Sequence, residues 1–306
     1  MMEKISVAIA TYNGEKYLRE QLESLYSQTR LPDEVVVSDD CSTDNTLSIL
    51  SEYEKKYGLK ILQSQVGLGV NKNFEKAISN CTGDYIAICD QDDIWFPQKI
   101  EILLNKIKEI ENGKPAVVSS QVCDVDHNGK IIQNQTLKRM DTWRCVDTIL
   151  SPPGVTQGCT MMLNKRLKDL LGGFPPFEVC LYDCYIGFLG ASVGIKYNIS
   201  APLMYYRHHQ TNVLARIQGK RNLKQLIKSA VADVSHIHII PPKRFIELGY
   251  IYQRHGNLFD DKIKTLYMQV DNLLKSKGIF RKVRIILKLR ELTLTDKISL
   301  LISVMM

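Results

Sequence analysis

Apolar positions in the first hundred residues follow two alternating rhythms. Short β-branched runs read as buried strands, and between them apolar residues recur three or four apart, the spacing of one helix face. ISVAIAT at 5–11 is the first strand, and EKYLREQLESLYSQ after it sets Leu18, Leu22 and Leu25 at helical spacing. EVVVSDD at 34–40 is the second strand, and Ser42-Thr43-Asp44 then signals the start of a helix around Leu47 to Tyr53. LKILQ, NKNFEKAISN and DYIAICD continue as strand, helix and strand. From Pro97 to Asn112 a helix carries Ile100, Leu103, Leu104, Ile107 and Ile110 on one side, with proline in its first turn and Gly113 at its end. Repeated strand–helix units predict an α/β domain with a mainly parallel sheet and helices on both faces. Ligands of such sheets bind beyond the carboxyl ends of the strands, so the residues that follow each strand carry the candidate chemistry.

Beyond residue 114 the rhythm changes. PAVVSSQVCDVD and TQGCTMMLN read as further strands, separated by a polar loop and the PPG turn at 152–154. Past Arg207 the pattern is helical, broken near Pro241-Pro242 and Gly278, which sets a boundary near 215: an α/β domain over 1–215 and a helical C-terminal extension over 216–306. With 306 residues and 44% apolar content the chain can bury a large core. No apolar run reaches the roughly 20 residues of a membrane-spanning helix. The opening MMEKISVAIATYNG enters a strand pattern directly, without a secretory signal stretch, so a cytoplasmic protein is expected. All eight cysteines fall within the first 184 residues, with no CxxC pair, and are read as reduced packing side chains. Cys180 and Cys184, one helical turn apart, are given the same role.

The net charge of +7 is unevenly spread. Residues 219–306 carry 17 Lys and Arg against 7 Asp and Glu, while 1–218 carry 23 against 26. The basic character belongs to the C-terminal region. It suits an anionic membrane surface, a nucleic acid or a solvated helix face.

Two acidic clusters follow predicted strands directly, Asp39-Asp40 and Asp90-Gln91-Asp92-Asp93. If those strands are neighbours, five carboxylates meet at one sheet edge, where like charges repel unless a cation or hydrogen-bond donors compensate. The D-x-D spacing of Asp90 and Asp92 favours a ligand pair for a divalent metal, whereas Asp44 reads as a helix cap. A hard cation such as Mg²⁺ or Mn²⁺, held by one or two carboxylates and by diphosphate oxygens, suits departure of a phosphate-bearing leaving group. No acid is then needed on the leaving side, unlike glycoside hydrolysis. The chain has no GxxxxGK[ST] loop, and Gly67-Leu68-Gly69 lacks the context of a dinucleotide fingerprint. These two glycines read as a turn into a helix that starts near Lys72, where a cation could meet phosphate or simply face solvent. Trp95, beside the acidic cluster, reads as core.

At these residues the sequence resembles glycosyltransferase family 2, inverting enzymes of the glycosyltransferase-A fold that use nucleoside-diphosphate sugars. The resemblance rests on VAIATYNGEKYL (7–18), VVVSDDCSTDNT (35–46), GVNKNFEKAI (69–78) and GDYIAICDQDDIWFP (83–97). It continues through VTQGCTMMLNKRL (155–167), LYDCYIGFLGASVG (181–194) and YYRHHQTNV (205–213), where it is similar to the bacterial rhamnosyltransferase-type branch. It implies that 1–215 is a nucleotide-sugar-binding catalytic domain. Tyr12 would lie against a pyrimidine and Asp40 would accept its ring N–H. Asp90 and Asp92 would serve a Mn²⁺ or Mg²⁺ ion, with Asp92 the direct ligand. Asp183 matches the family's general base, although LYD stands where members often carry an acidic residue or histidine before the aspartate. Arg207 or His209 would meet the diphosphate or assist the metal.

The resemblance further implies an inverting transfer from a dTDP-rhamnose-like or UDP-hexose donor to a hydroxyl of a cell-surface polysaccharide or lipid-linked oligosaccharide. In GIFRKVRIILKLRELT (278–293), Ile279, Phe280, Val283, Ile286 and Leu287 group on one face, with Arg281, Arg284 and Lys288 opposite. This basic amphipathic helix, with the apolar ISLLISVMM after it, suits peripheral attachment to the inner face of the cell membrane. The same face could pack on the catalytic domain or on a second copy in a homo-oligomer. Two other functions stay open at this stage. One is a non-catalytic nucleotide-binding module; the other is a nucleic-acid binder acting through the basic tail, which no nucleic-acid motif supports.

Overall fold

The computed structural model describes residues 3–133, 142–143, 157–209, 242–276, 279–288 and 297. The PPG turn, Cys145, Thr211, Asn212, the boundary near 215, His236, His238 and the closing ISLLISVMM lie outside the described residues. The strands are β1 (Ile5–Thr11), β2 (Glu34–Asp39), β3 (Lys60–Gln63), β4 (Tyr85–Cys89), β5 (Ile94–Trp95), β6 (Ala116–Val125), β7 (Ile131–Gln133), β8 (Thr142–Trp143), β9 (Met162–Asn164) and β10 (Ile195–Arg207). They form one sheet in the order β3-β2-β1-β4-β9-β6-β10-β5, with β7 beside β6 and β8 beside β10. The ladders β3-β2-β1-β4 and β6-β10 are parallel. The short β9 is antiparallel to both its neighbours and joins the two parallel halves.

The helices are α1 (Leu18–Tyr26), α2 (Thr46–Tyr57), α3 (Val70–Ser79), α4 (Lys99–Glu111), α5 (Lys165–Leu171), α6 (Tyr182–Val193), α7 (Pro242–His255), α8 (Asp261–Lys275) and α9 (Ile279–Lys288). They cover both faces of the sheet because β1 is apolar on both. Ile5, Val7 and Ile9 share one core with Leu18, Leu22 and Leu25 of α1, with Ile49 and Leu50 of α2, and with Ile100, Leu103 and Ile107 of α4. Ala8 faces the other core, with Phe74 and Ala77 of α3 and Tyr185, Phe188 and Leu189 of α6. Side chains that alternate along a strand, each buried under helices, give the continuous β-branched runs seen in the sequence.

One local expectation is revised. TQGCTMMLN is strand only at its end. Gly158–Thr160 curls into a single 3₁₀ turn, and Met161 donates its N–H back to the Gly158 carbonyl at 2.9 Å. The curl lets Gly158 pass beneath Tyr182, whose hydroxyl lies 2.0 Å from where a Cβ at Gly158 would stand. For the C-terminal helices the sequence leaves several partners open, and the structure supplies one. Leu248 and Ile251 of α7, Leu266, Val270 and Leu273 of α8 and Ile286 of α9 belong to the same apolar cluster as Phe188 and Leu189 of α6. The described part of the extension therefore packs on the α/β domain. Leu287, grouped with Ile286 by periodicity, is 62% exposed.

One polar contact pins α7 to the domain. The Tyr185 hydroxyl lies 2.7 Å from the Leu171 carbonyl, to which it donates, and 2.6 Å from His255 Nε2. With its proton given to Leu171, the hydroxyl accepts from His255, which must be the neutral Nε2–H tautomer. Burial, reinforced by the Arg254 charge, pulls the His255 pKa down to about 4. An unfolded chain protonates this ring near pH 6.5, the folded chain only near 4, so acid favours unfolding between the two values. We expect stability to fall from pH 7 to pH 4.5, with His255 contributing up to about 3 kcal/mol of the loss. His255→Gln keeps an N–H for Tyr185 and should flatten that part of the pH dependence in urea denaturation.

Candidate active site

Because β2, β1 and β4 are parallel neighbours, their carboxyl ends open on the same edge. A cleft of about 1160 Å³ lies there. Tyr12, Asp40, Lys72, Asp90, Asp92, Asp183 and His209 all line it, so seven of the eight sequence-derived candidates are brought together. The eighth, Arg207, does not line it. The five carboxylates also divide: Asp40, Asp90 and Asp92 face the cleft, while Asp39 and Asp93 are 0% and 1% exposed.

Asp39 organises the end of β2. Its carboxylate accepts from Thr11 Oγ1 at 2.8 Å, Ser42 N at 3.0 Å and Ser42 Oγ at 2.6 Å. Its neighbour Asp40 accepts from the backbone N–H groups of Leu68 at 2.6 Å and Gly69 at 2.9 Å, fixing the turn in which Gly69 adopts φ +78°. Tyr12, half exposed, is locked to the acidic loop through its backbone. Gln91 Oε1 accepts from Tyr12 N at 2.9 Å and Gln91 Nε2 donates to Tyr12 O at 3.1 Å. This crossing needs a glycine beside it, since a Cβ on Gly14 would stand 2.3 Å from Gln91 Oε1. Asp44 accepts from Thr46 N and Glu15 N at 3.0 Å each, an Asx turn that leads into α2, whose N-cap residue is Asn45.

The acidic loop after β4 carries the strongest electrostatics. Burial, then the charges of Asp92 and Asp183, push the Asp90 pKa up to about 7. Burial and the charges of Asp92 and Asp90 raise that of Asp93, whose Oδ2 has no hydrogen-bond partner among the described residues. Asp92 Oδ2 meets His209 Nε2 at 2.7 Å. Arg207 is corrected from a diphosphate contact to a brace. It is 3% exposed and runs behind the loop toward α1, where its guanidinium reaches Glu20 Oε2 at 2.6 Å, the Asp92 carbonyl at 3.0 Å and the His127 carbonyl at 3.3 Å. The guanidinium also lies 4.6 Å from the Tyr17 ring centroid, and the Arg207 backbone N–H donates to Asp93 Oδ1 at 3.2 Å. The acceptors on α1 and the loop satisfy the fork there, so it has no reason to turn into the cleft.

The opposite wall comes from α3 and the start of α6. Asn71 Nδ2 donates to the carbonyls of Pro175 at 2.9 Å and Cys180 at 2.7 Å, and its Oδ1 accepts from Tyr182 N at 3.0 Å. One buried amide thus holds the segment that delivers Asp183, in the first turn of α6, to the cleft. Lys72 lines the same wall with its ammonium 2.7 Å from Glu75, and is 52% exposed along its side chain. Asn73 Nδ2 donates to Thr11 O at 3.0 Å, leaving a buried Oδ1 without a partner among the described residues.

Known proteins match this chain in sequence and in fold. The family described as Glycosyl transferase family 2 matches residues 6–171, more than half of the chain. This chain belongs to glycosyltransferase family 2. It is a glycosyltransferase of the glycosyltransferase-A fold. The dTDP-rhamnosyl transferase RfbG of Shigella flexneri is 31% identical over 299 residues, covering 87% of this chain and 100% of that protein. Residues 1–349 of Staphylococcus aureus TarS, solved with UDP-GlcNAc, superpose with a TM-score of 0.59 at 21% identity, over 94% of this chain and 82% of that one. The mannosyltransferase PcManGT of Pyrobaculum calidifontis, solved with GDP-Man and Mn²⁺, gives a TM-score of 0.54 at 16% identity, over 100% of this chain and 88% of that one.

The donor set of this family 2 enzyme fits a hard divalent cation. Asp90 and Asp92 present carboxylate oxygens to the cleft in mutual repulsion, which a dication would relieve. A softer site is also outlined, since Asp90, Asp93 and Cys159 bring ligand atoms within 4.8 Å of one another. Burial, then the nearby Asp93 and Asp90 charges, raise the Cys159 thiol pKa well above its ordinary value, which disfavours the thiolate a metal needs.

Sequence reasoning missed the brace formed by Arg207 and the buried Lys99 below the loop. Lys99 had one signal: it lies four residues before Leu103, on the apolar stripe of its helix. Arg207→Met is expected to lower the unfolding free energy by about 2–3 kcal/mol. Arg207→Lys should recover less than half of that, because an ammonium cannot span the three acceptors; urea denaturation reads both.

Proposed function

We propose that the enzyme performs an inverting transfer of a sugar from a pyrimidine nucleoside diphosphate to a hydroxyl of a surface polysaccharide or lipid-linked oligosaccharide. A dTDP-deoxysugar is the first choice of donor, on the strength of the RfbG likeness across most of the chain, and a UDP-hexose the second. The observation that supports this reading is that Asp90, Asp92 and Asp183 line one cleft together with Tyr12 and Asp40.

In this reading Tyr12 lies against the base and Asp40 shapes the turn beneath it while facing the ring N–H. Lys72 approaches the phosphates from α3. Asp92, held by His209 and by the Arg207 Nε–H on its backbone carbonyl, would ligate Mn²⁺ or Mg²⁺, with Asp90 beside it. A metal ion bound there supplies charge neutralisation for the departing diphosphate oxygens. Asp183 accepts the proton of the acceptor hydroxyl as that oxygen attacks the anomeric carbon from the face opposite the diphosphate, which inverts the configuration. The acceptor must therefore enter past Glu178 and Pro175–Phe177, which line the Asp183 side of the cleft. No helix among the described residues is long and apolar enough to cross a membrane, and a membrane-linked acceptor would be met at the surface.

Asp92→Asn should abolish the Mn²⁺ dependence of donor turnover along with most of the rate, read as nucleoside diphosphate release over a metal titration after chelation. Persistence of both would remove the metal site from Asp92. Asp183→Asn should lower turnover by about 10²–10⁴-fold while donor binding, measured calorimetrically, stays near the unaltered protein. Loss of donor binding would show that Asp183 is not the base.

A further inference from the structure

Beneath the acidic loop lies a lysine for which the proposed reaction has no use. Lys99, the first residue of α4, is fully buried. Its Nζ donates to the Cys159 carbonyl at 2.6 Å, lies 3.0 Å from Met204 Sδ and stands 4.0 Å from the centroid of the Trp95 ring. The Cys159 sulfur and the carboxylates of Asp90 and Asp93 bring ligand atoms within 4.8 Å of one another, so a single residue separates the ammonium from the loop. Burying an ammonium is costly unless negative charge or an aromatic face compensates. Here Trp95 and the carbonyl do part of this, and the field of the loop supplies more. Burial draws the Lys99 pKa down to about 8, while the surrounding groups, the Asp93 and Asp90 carboxylates among them, pull it back up. Asp93 in turn is buried with one oxygen on the Arg207 backbone and the other without a partner among the described residues. Among those residues Lys99 forms no direct ion pair, so it acts on the loop through its field.

A fixed cation on the inner side of the loop has a consequence for a dication on the outer side. It stabilises the gathered carboxylates before any ligand arrives, and it opposes the metal through a buried, poorly screened interior. The diphosphate of a donor offsets that opposition by adding negative charge on the metal's far side. We propose that Lys99 is a positioning residue of the acidic loop, a built-in counter-cation that holds the carboxylates together and keeps their affinity for a divalent metal low until a nucleoside diphosphate is present. This rests on the metal reading of Asp92 and deepens it.

Binding of Mn²⁺ measured by loss of the free-ion electron paramagnetic resonance signal tests this without turnover. The unaltered protein should bind Mn²⁺ weakly alone and more tightly with UDP or dTDP. Lys99→Met should bind Mn²⁺ alone at least tenfold more tightly, with a smaller gain from nucleotide, and Lys99→Gln should do the same while keeping a donor for the Cys159 carbonyl if Lys99→Met fails to fold. Lys99→Arg should match the unaltered protein, and Asp92→Asn added to Lys99→Met should remove the gain. Neutral variants with native near-ultraviolet circular dichroism that bind Mn²⁺ alone no more tightly than the unaltered protein would overturn the role of Lys99. Absence of Mn²⁺ binding by the unaltered protein even with nucleotide overturns the metal reading, and this inference with it, in an arm that does not involve Lys99.

Discussion

The structure depends on how it tolerates negative charge at the shared edge of β2, β1 and β4. Parallel pairing of these three strands forces the acidic residues after β2 and after β4 into one small volume, and carboxylates at that range repel. The chain answers the repulsion differently at each one. Asp39 is satisfied by hydroxyls and a backbone N–H, and Asp40 by two backbone N–H groups of the next turn. Asp93 rests on the Arg207 backbone, with the Lys99 charge nearby. Asp92 has His209, and Asp90 is left with its pKa drawn toward neutrality. Of the acidic loop, the two carboxyl groups with D-x-D spacing are those that open on the cleft.

Around this edge, single side chains do the work of long-range connectors. Gln91 ties the end of β1 to the acidic loop, Asn71 ties α3 to the segment before α6, and Arg207 ties the loop to α1. Each uses both donor and acceptor capacity or a rigid fork, so it fixes an orientation as well as a distance. Gly14 and Gly158 are required for the same reason, since a side chain at either would occupy the space of Gln91 or Tyr182. Such a frame limits the cleft's own side chains to small adjustments, and reactions that depend on positioned charge benefit from a frame that does not reorganise.

The C-terminal helices belong to this frame more than the charge of the tail suggests. Their apolar residues complete the core behind α6, and the His255–Tyr185 bond anchors α7 to the helix that carries Asp183. Among the described side chains of these helices, Arg254, Lys262, Lys275 and Arg284 are exposed on the outward side. This fits the general tendency of amphipathic helices to satisfy their apolar face inside the fold before any other surface is offered.

From the sequence alone came the strand–helix alternation, the edge at which chemistry gathers, and seven of the residues that line the cleft. These are local signals: a buried strand announces itself by β-branched runs, and an aspartate after a strand lies at its carboxyl end whatever the rest of the chain does. The tertiary structure alone separated Asp39 from Asp40 and Asp93 from Asp92, turned Arg207 away from the cleft, buried Lys99, and placed the last helices on α6. Each of those outcomes depends on partners far along the chain, such as Glu20 for Arg207 and Cys159 for Lys99. The direction a charged side chain takes is decided by where its countercharges and acceptors fold up beside it, and that is a property of the packed molecule.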